Sequence, residues 1–400
     1  AYNIKEHLSF YCADLTKEIN PALYTKRPPM YGIIILTIKS IYNSNYFILF
    51  VQNLLSIANI VGLIKILQEH KFEFDVRKSI YVFIVLFPAQ YIYVNMIMSE
   101  ILLQTLIFWA MFNLFYYVKN KNPRSILYYN ILLALAVLTK PVLVYFWIPN
   151  LIFMAYLYYR NKKVSIILSG LIQPLVVLLF SYYGYTTTGT LSYSSQRPVN
   201  LLDYYATFLL ISVNGEDEGW RKYGEIHSYL DTIKDYSRMS KEAERIATEI
   251  ILDNKIEYAK LHAKGMLNYF FDPGRYDLNY LLSIKEKNHS GLMFAFAKGG
   301  YREVVNFVLR QPYYVIVYLA LMLVINLCLI LSLILFLFNR KVSAEIKFFI
   351  LFIALYMSFL SGMLGTMRYK IHIYFLLLFT IPFAFEYIKS KNILKPKQPL

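Results

Sequence analysis

Two cysteines in 400 residues leave no disulfide framework and no cysteine-ligated metal cluster. Cys12 lies in a polar N-terminal stretch and Cys328 in the middle of an apolar run, so the two are not expected to pair. The histidines have no ligand spacing, and no metal site is predicted. Glycine is too scattered for a phosphate-cradling loop, and there is no nucleophile elbow. Acidic residues are also short: 25 Asp and Glu stand against 41 Lys and Arg, for a formal net charge of +16. A balance this basic can mark a nucleic-acid binder. Here much of the charge falls in short connections between apolar blocks, so no nucleic-acid partner is expected. No internal repeat is visible, which weighs against a transporter built from duplicated halves.

What the chain has in abundance is apolar sequence in long blocks. Hydrophobic residues make up 58% and aromatics 18%, well above the roughly 45–50% apolar content of soluble domains. The blocks lack amphipathic periodicity and predict an all-α membrane protein, a polytopic transmembrane helix bundle. Nine spans are expected, at 46–67, 79–98, 101–118, 126–138, 142–159, 164–187, 312–338, 346–365 and 371–388. The organisation follows from them. Residues 1–45 form an outer loop, with an amphipathic surface helix expected over 2–19 and a short apolar, re-entrant or surface segment over 30–43. Residues 46–187 form a first bundle of six helices, and 188–310 an extramembrane region with one or two amphipathic helices over 241–271. Residues 311–388 hold the last three helices, and 389–400 a basic tail.

Basic residues collect in every second connection: HKFEFDVRK at 70–78, KNKNPR at 119–124, RNKK at 160–163, NRK at 339–341 and KSKNILKPK at 389–397. Positive loops stay on the cytoplasmic side. The N-terminal segment and the 188–310 region are therefore expected on the opposite side, which requires a first transmembrane helix before residue 1. The remaining connections carry isolated polar groups on that same outer side. Glu100 starts a span, Lys140 sits in LTKP, Arg368 in MRYK, and Arg27 is held by the prolines of KRPPMYG. Each has a plain alternative: a carboxylate near a helix dipole, a snorkelling lysine, or an arginine among headgroups. Together they predict a site that grips a phosphate or pyrophosphate at the membrane surface, because arginine and lysine are the residues that do so.

Several short motifs fall in a telling order. They are Tyr11-x-x-x-Leu15, Arg27-Pro28-Pro29-Met30-Tyr31-Gly32, Ser99-Glu100, LALAVLTKP at 133–141, and Met367-Arg368-Tyr369 before the last apolar helix. This order resembles the C-type membrane glycosyltransferases, the group that includes protein O-mannosyltransferases and the aminoarabinose transferase of lipid A. The resemblance implies a polyprenyl-phosphate sugar donor and a lipid, glycan or protein acceptor. It places Arg27, Lys140, Arg368 and Tyr369 on the donor phosphate, with Glu100 among the catalytic groups. The family's catalytic Asp precedes the tyrosine that matches Tyr11, and no Asp stands there. Glu6 is the expected replacement and Asp14, one helical turn after Tyr11, the second choice; otherwise the carboxylate lies upstream of Ala1.

The chemistry asks for a carboxylate to take the acceptor proton and for cations to stabilise the departing lipid phosphate. Direct displacement would invert the anomeric centre. No cofactor is required, and a divalent metal is compatible without being demanded. Two rivals share some of these features. A surface-polysaccharide ligase or polymerase would use outward Arg and Lys without an early carboxylate. A lipid-linked-sugar flippase would place charges along a path inside the helices.

Overall fold

The computed structural model describes residues 2–70, 72, 75–283 and 292–391. The distal part of the basic tail, 392–400, and parts of the 70–78 connection lie outside the described residues. Among the described residues all regular structure is helical, with no strand. Six helices are long and apolar enough to cross a membrane: Asn45–Gln68, Glu100–Asn120, Val164–Thr188, Tyr313–Phe338, Ala344–Leu364 and Met367–Ser390. At about 1.5 Å per residue, each reaches or exceeds the roughly 30 Å of a hydrocarbon core. The protein is an all-α polytopic bundle.

Two of the nine expected spans are shortened or broken, and a third is as short as expected. The 79–98 span divides into Val76–Val85 and Pro88–Val94. Pro88 has no N–H to continue the ladder, and Phe87 leaves helical geometry at φ −113°, ψ 82°. The broken turn is satisfied from elsewhere. The Tyr374 hydroxyl donates to the Phe83 carbonyl at 2.7 Å, and the Phe87 and Tyr374 rings stack 3.8 Å apart. The 142–159 span opens at Pro141 with a 3-10 turn, Pro141–Leu143, before Trp147–Asn161 begins. The 126–138 span is the 15-residue helix Pro123–Val137. Its inner face is tied by amides: Asn150 donates to Asn130 at 2.9 Å, and Asn130 to Ser169 at 3.0 Å. Side-chain amides of this kind join helices where lipid offers no partner.

The surface helix expected at the N-terminus is also corrected. Instead of a helix over 2–19 there is one short helix, Tyr2–His7. Leu8 turns into the left-handed region at φ 50°, and the Asn3 amide donates to the carbonyls of Tyr11 and Ala13, folding the chain back. The 30–43 segment is the helix Met30–Ile41, too short at 12 residues to span. The 241–271 stretch forms two helices, Tyr236–Asp253 and Lys255–Phe271. Their apolar faces pack within the protein. Ala243 and Ala247 bury against Leu202, Ala206 and Leu230, and Leu261 against Leu209 and Met363.

The most enclosed helices are Glu100–Asn120 and Met367–Ser390. In the latter every residue from Tyr374 to Ala384 is buried. Gln104 ties the two together, donating to the Ile371 carbonyl at 2.7 Å and exchanging hydrogen bonds with Gln90.

The bundle has two chemically different ends. At one, the basic connections meet acidic residues and each other: Lys119 pairs with Glu69, Arg160 with Glu345 at 2.6 Å, Lys341 with Glu386 at 2.5 Å, and Lys163 donates to the Lys121 carbonyl. At the other, the N-terminal segment meets the 188–283 region, where the Ser195 hydroxyl donates to the Ala22 carbonyl at 2.6 Å. Glu100, Lys140 and Arg368 are at this second end.

Candidate functional site

Local sequence fixes each side chain of the site. Glu100 is the first residue of the Glu100–Asn120 helix and only 1% exposed. A carboxylate there faces the positive end of the helix dipole. Lys140 follows the end of Pro123–Val137, where the N–H groups of both Thr139 and Lys140 turn back to the Ala136 carbonyl. Pro141 then prevents the helix from continuing. Arg27 is brought beside this turn because the Met30 N–H donates to the Leu138 carbonyl at 3.0 Å. The Arg27 side chain is exposed and within electrostatic reach of Lys140.

Arg368 is set by a close crossing of glycines. The helix Lys255–Phe271 meets the turn after Ala344–Ser361 at Gly265. A Cβ on Gly265 would lie 2.1 Å from the Gly362 carbonyl oxygen, and one on Gly365 would lie 2.1 Å from that of Gly265. Only bare backbone fits. Beyond the crossing, the Met367 N–H donates to Asp272 Oδ2 at 2.6 Å. Lys370, 1% exposed, donates to the carbonyls of Phe270 and Asp272 and to Asn326 Oδ1. The short helix Met367–Lys370 is thus anchored on both sides of Arg368.

These elements converge on one oxygen. Glu100 Oε1 accepts from Lys140 Nζ at 3.1 Å and from Arg368 Nε at 2.7 Å. Its Oε2 is buried with no hydrogen-bond partner among the described residues. Lys140 Nζ also lies 3.4 Å from His372 Nε2 and 5.3 Å from the centre of the Tyr369 ring. Arg368 spends only its Nε on Glu100. The two terminal nitrogens of its guanidinium form no hydrogen bond among the described residues, and 41% of the side chain is exposed. Glu100 therefore acts here as the anchor that holds two cations, while the fork of Arg368 is left to meet an anion.

Glu100, Lys140, Arg368 and Tyr369, predicted from sequence, come together, with Arg27 at the margin. Glu6 and Asp14 do not join them. Glu6 is exposed and pairs with its neighbour Lys5 at 2.9 Å. Asp14 is exposed and closes a local turn, accepting from the N–H and hydroxyl of Thr16.

Sequence reasoning missed a second acidic group, in FDPGRYD at 271–277. Asp272 and Asp277 are both raised above the usual carboxylate range, in each case chiefly by burial. Asp277 is pushed up to about 6; Asp272's charge adds to the rise, while the Tyr93 hydroxyl and Arg368 oppose it. That hydroxyl donates directly to Asp277 Oδ1. Two acids around a Pro-Gly turn were the available signal, but nothing in sequence joined them to position 368. Among the described residues no group of three or more His, Cys, Asp or Glu is placed to hold a metal ion.

Fold and site define the class of the molecule: an all-α membrane protein with an ion-paired polar cluster at one end of its bundle. Compared with known proteins, the chain matches no family model, no curated protein and no solved structure.

Proposed function

We propose that this protein is a membrane glycosyltransferase that moves a sugar from a polyprenyl-phosphate donor to a lipid, glycan or protein acceptor on the extracytoplasmic face of the cell's inner or plasma membrane. The observation that carries the reading is the half-exposed Arg368 guanidinium, fixed beside Lys140 by a buried Glu100. A cation pair at the rim of a helix bundle suits a phosphate whose lipid tail remains in the membrane. The site lies at the end opposite the basic connections, which the positive-inside rule assigns to the outer side. The order of the Arg-Pro-Pro, Ser-Glu, Thr-Lys-Pro and Met-Arg-Tyr motifs supports the same reading.

In this mechanism the acceptor oxygen attacks the anomeric carbon and the bond to the phosphate breaks. Charge on the departing phosphate grows, and Arg368 and Lys140 meet it in a site partly closed to water, where such stabilisation is large. Binding that strengthens as the bond breaks lowers the barrier and not only the ground state.

The test is reconstitution into liposomes with a radiolabelled polyprenyl-phosphate sugar. Transfer of label to an acceptor supports the reading. Movement of intact donor between leaflets with no transfer would replace it with lipid translocation.

A further inference from the structure

This chemistry needs a base for the acceptor hydroxyl, and Glu100 is badly placed to be one. One of its oxygens is shared by two cations, and the whole group is enclosed. Glu6 and Asp14 stand apart from the cations. Asp277 has a different setting. It is held on the helix Arg275–Leu281, beyond the DPG turn whose Asp272 anchors Met367 next to Arg368. Its Oδ1 is fixed by the Tyr93 hydroxyl. Its Oδ2 lies over Gly274, where even an added Cβ would stand 3.5 Å away. Gly274 adopts φ +75°, a left-handed conformation that disfavours a side chain. Asp277 is 6% exposed against 1% for Glu100, its Oδ2 forms no hydrogen bond among the described residues, and Arg368 acts electrostatically on the same carboxylate.

Resting on the glycosyl-transfer reading above, we propose that Asp277 is the catalytic base that accepts the proton of the acceptor hydroxyl, with Tyr93 as its positioning residue. The step balances without a co-reactant. Asp277 Oδ2 takes the acceptor proton, and the acceptor oxygen forms its bond to the anomeric carbon. The carbon–phosphate-oxygen bond breaks, and its electron pair leaves with the polyprenyl phosphate toward Arg368 and Lys140. Product release returns the proton to water.

The carboxylate must be ionised to act. With Asp277 at about 6, transfer rises with pH through that value and levels off above it. The charged and titratable groups facing Asp277 are Tyr93, Asp272, Arg368, Glu100, Tyr318 and Lys370. Of these, Tyr93 stabilises the ionised form by donating to it. Removing that hydroxyl moves the acid limb to higher pH, an effect that a purely structural role would not produce.

The experiment measures sugar transfer against pH in liposomes, together with retention of polyprenyl phosphate by the purified full chain. Asp277→Asn is expected to lose transfer about 100-fold or more, and its acid limb with it, while still binding polyprenyl phosphate. Asp277→Glu recovers part of the rate, which separates lost chemistry from lost folding. Tyr93→Phe keeps a plateau and shifts the limb upward. Wild-type transfer with an unchanged rate and limb in Asp277→Asn would overturn this assignment and leave the glycosyl-transfer reading standing. A wild-type chain that neither binds polyprenyl phosphate nor transfers sugar would overturn both.

Discussion

Replacing Glu100 by Gln keeps the shape of the side chain and removes the one charge that holds Lys140 and Arg368 together. The structure sets the size of the effect. Each contact, at 3.1 and 2.7 Å, is worth roughly 5–6 kcal/mol of gross attraction at an effective dielectric of 20. Much of that is offset by the desolvation needed to enclose the charges. Breaking a buried pair by removing one partner costs about 3–5 kcal/mol. The two cations do not share this cost equally. The Lys140 side chain is 17% exposed and Arg368 41%, so Arg368 recruits water more readily than Lys140. Glu100→Gln is therefore expected to destabilise the protein by about 3 kcal/mol, near the lower bound for a buried pair. Adding Lys140→Met should recover most of the loss, and Arg368→Met less. The assay is reversible unfolding by SDS in mixed micelles, run as a double-mutant cycle. A Glu100→Gln protein within about 0.5 kcal/mol of wild type, the usual tolerance of such cycles, would refute the reasoning. So would a larger rescue from Arg368→Met than from Lys140→Met.

Gly265→Ala places a methyl where only 2.1 Å separates it from the Gly362 carbonyl oxygen, and backbone cannot rotate away. A loss of about 3 kcal/mol, the upper part of the overpacking range, should appear as a lower melting temperature in detergent. A wild-type melting temperature would show that the helix crossing is looser than the structure has it. The two ends of the bundle should also differ in access. In a chain with Cys12 and Cys328 replaced, a membrane-impermeant thiol reagent added outside cells should label Glu225→Cys and not Arg124→Cys. Equal labelling of both would reverse or dissolve the assignment of sides.

Membrane character and the clustering of isolated charges were legible in sequence for the same reason. Apolar blocks are long, so the few charges that interrupt them are conspicuous, and helix ends at one side must come near each other. That logic found Glu100, Lys140 and Arg368 from connections up to 268 residues apart. It failed where local backbone chemistry overrode an apolar pattern. The 79–98 block reads as one span by hydropathy, yet Pro88 divides it, and Tyr374 completes the broken turn from nearly 300 residues away. It failed again in 188–310, where Asp272 and Asp277 look like ordinary loop acids. Their burial follows from a tertiary event, the glycine crossing at Gly265 and the Lys370 anchor, which no local periodicity encodes. Glu6 and Asp14 rest on the resemblance to a family motif, and their side chains settle into purely local contacts.

The account stands most directly on Arg368. In the proposed reaction its half-exposed fork would meet the lipid phosphate as charge grows on it. Removing such a donor typically costs roughly 3 kcal/mol of transition-state stabilisation, about a hundredfold or more in rate. The decisive measurement is transfer of labelled sugar from a polyprenyl-phosphate donor in liposomes by Arg368→Ala and Arg368→Lys. The expected result is a loss of about a hundredfold or more in Arg368→Ala at normal expression, and partial recovery in Arg368→Lys, which keeps the charge without the two-pronged geometry. Wild-type transfer by Arg368→Ala would contradict the account.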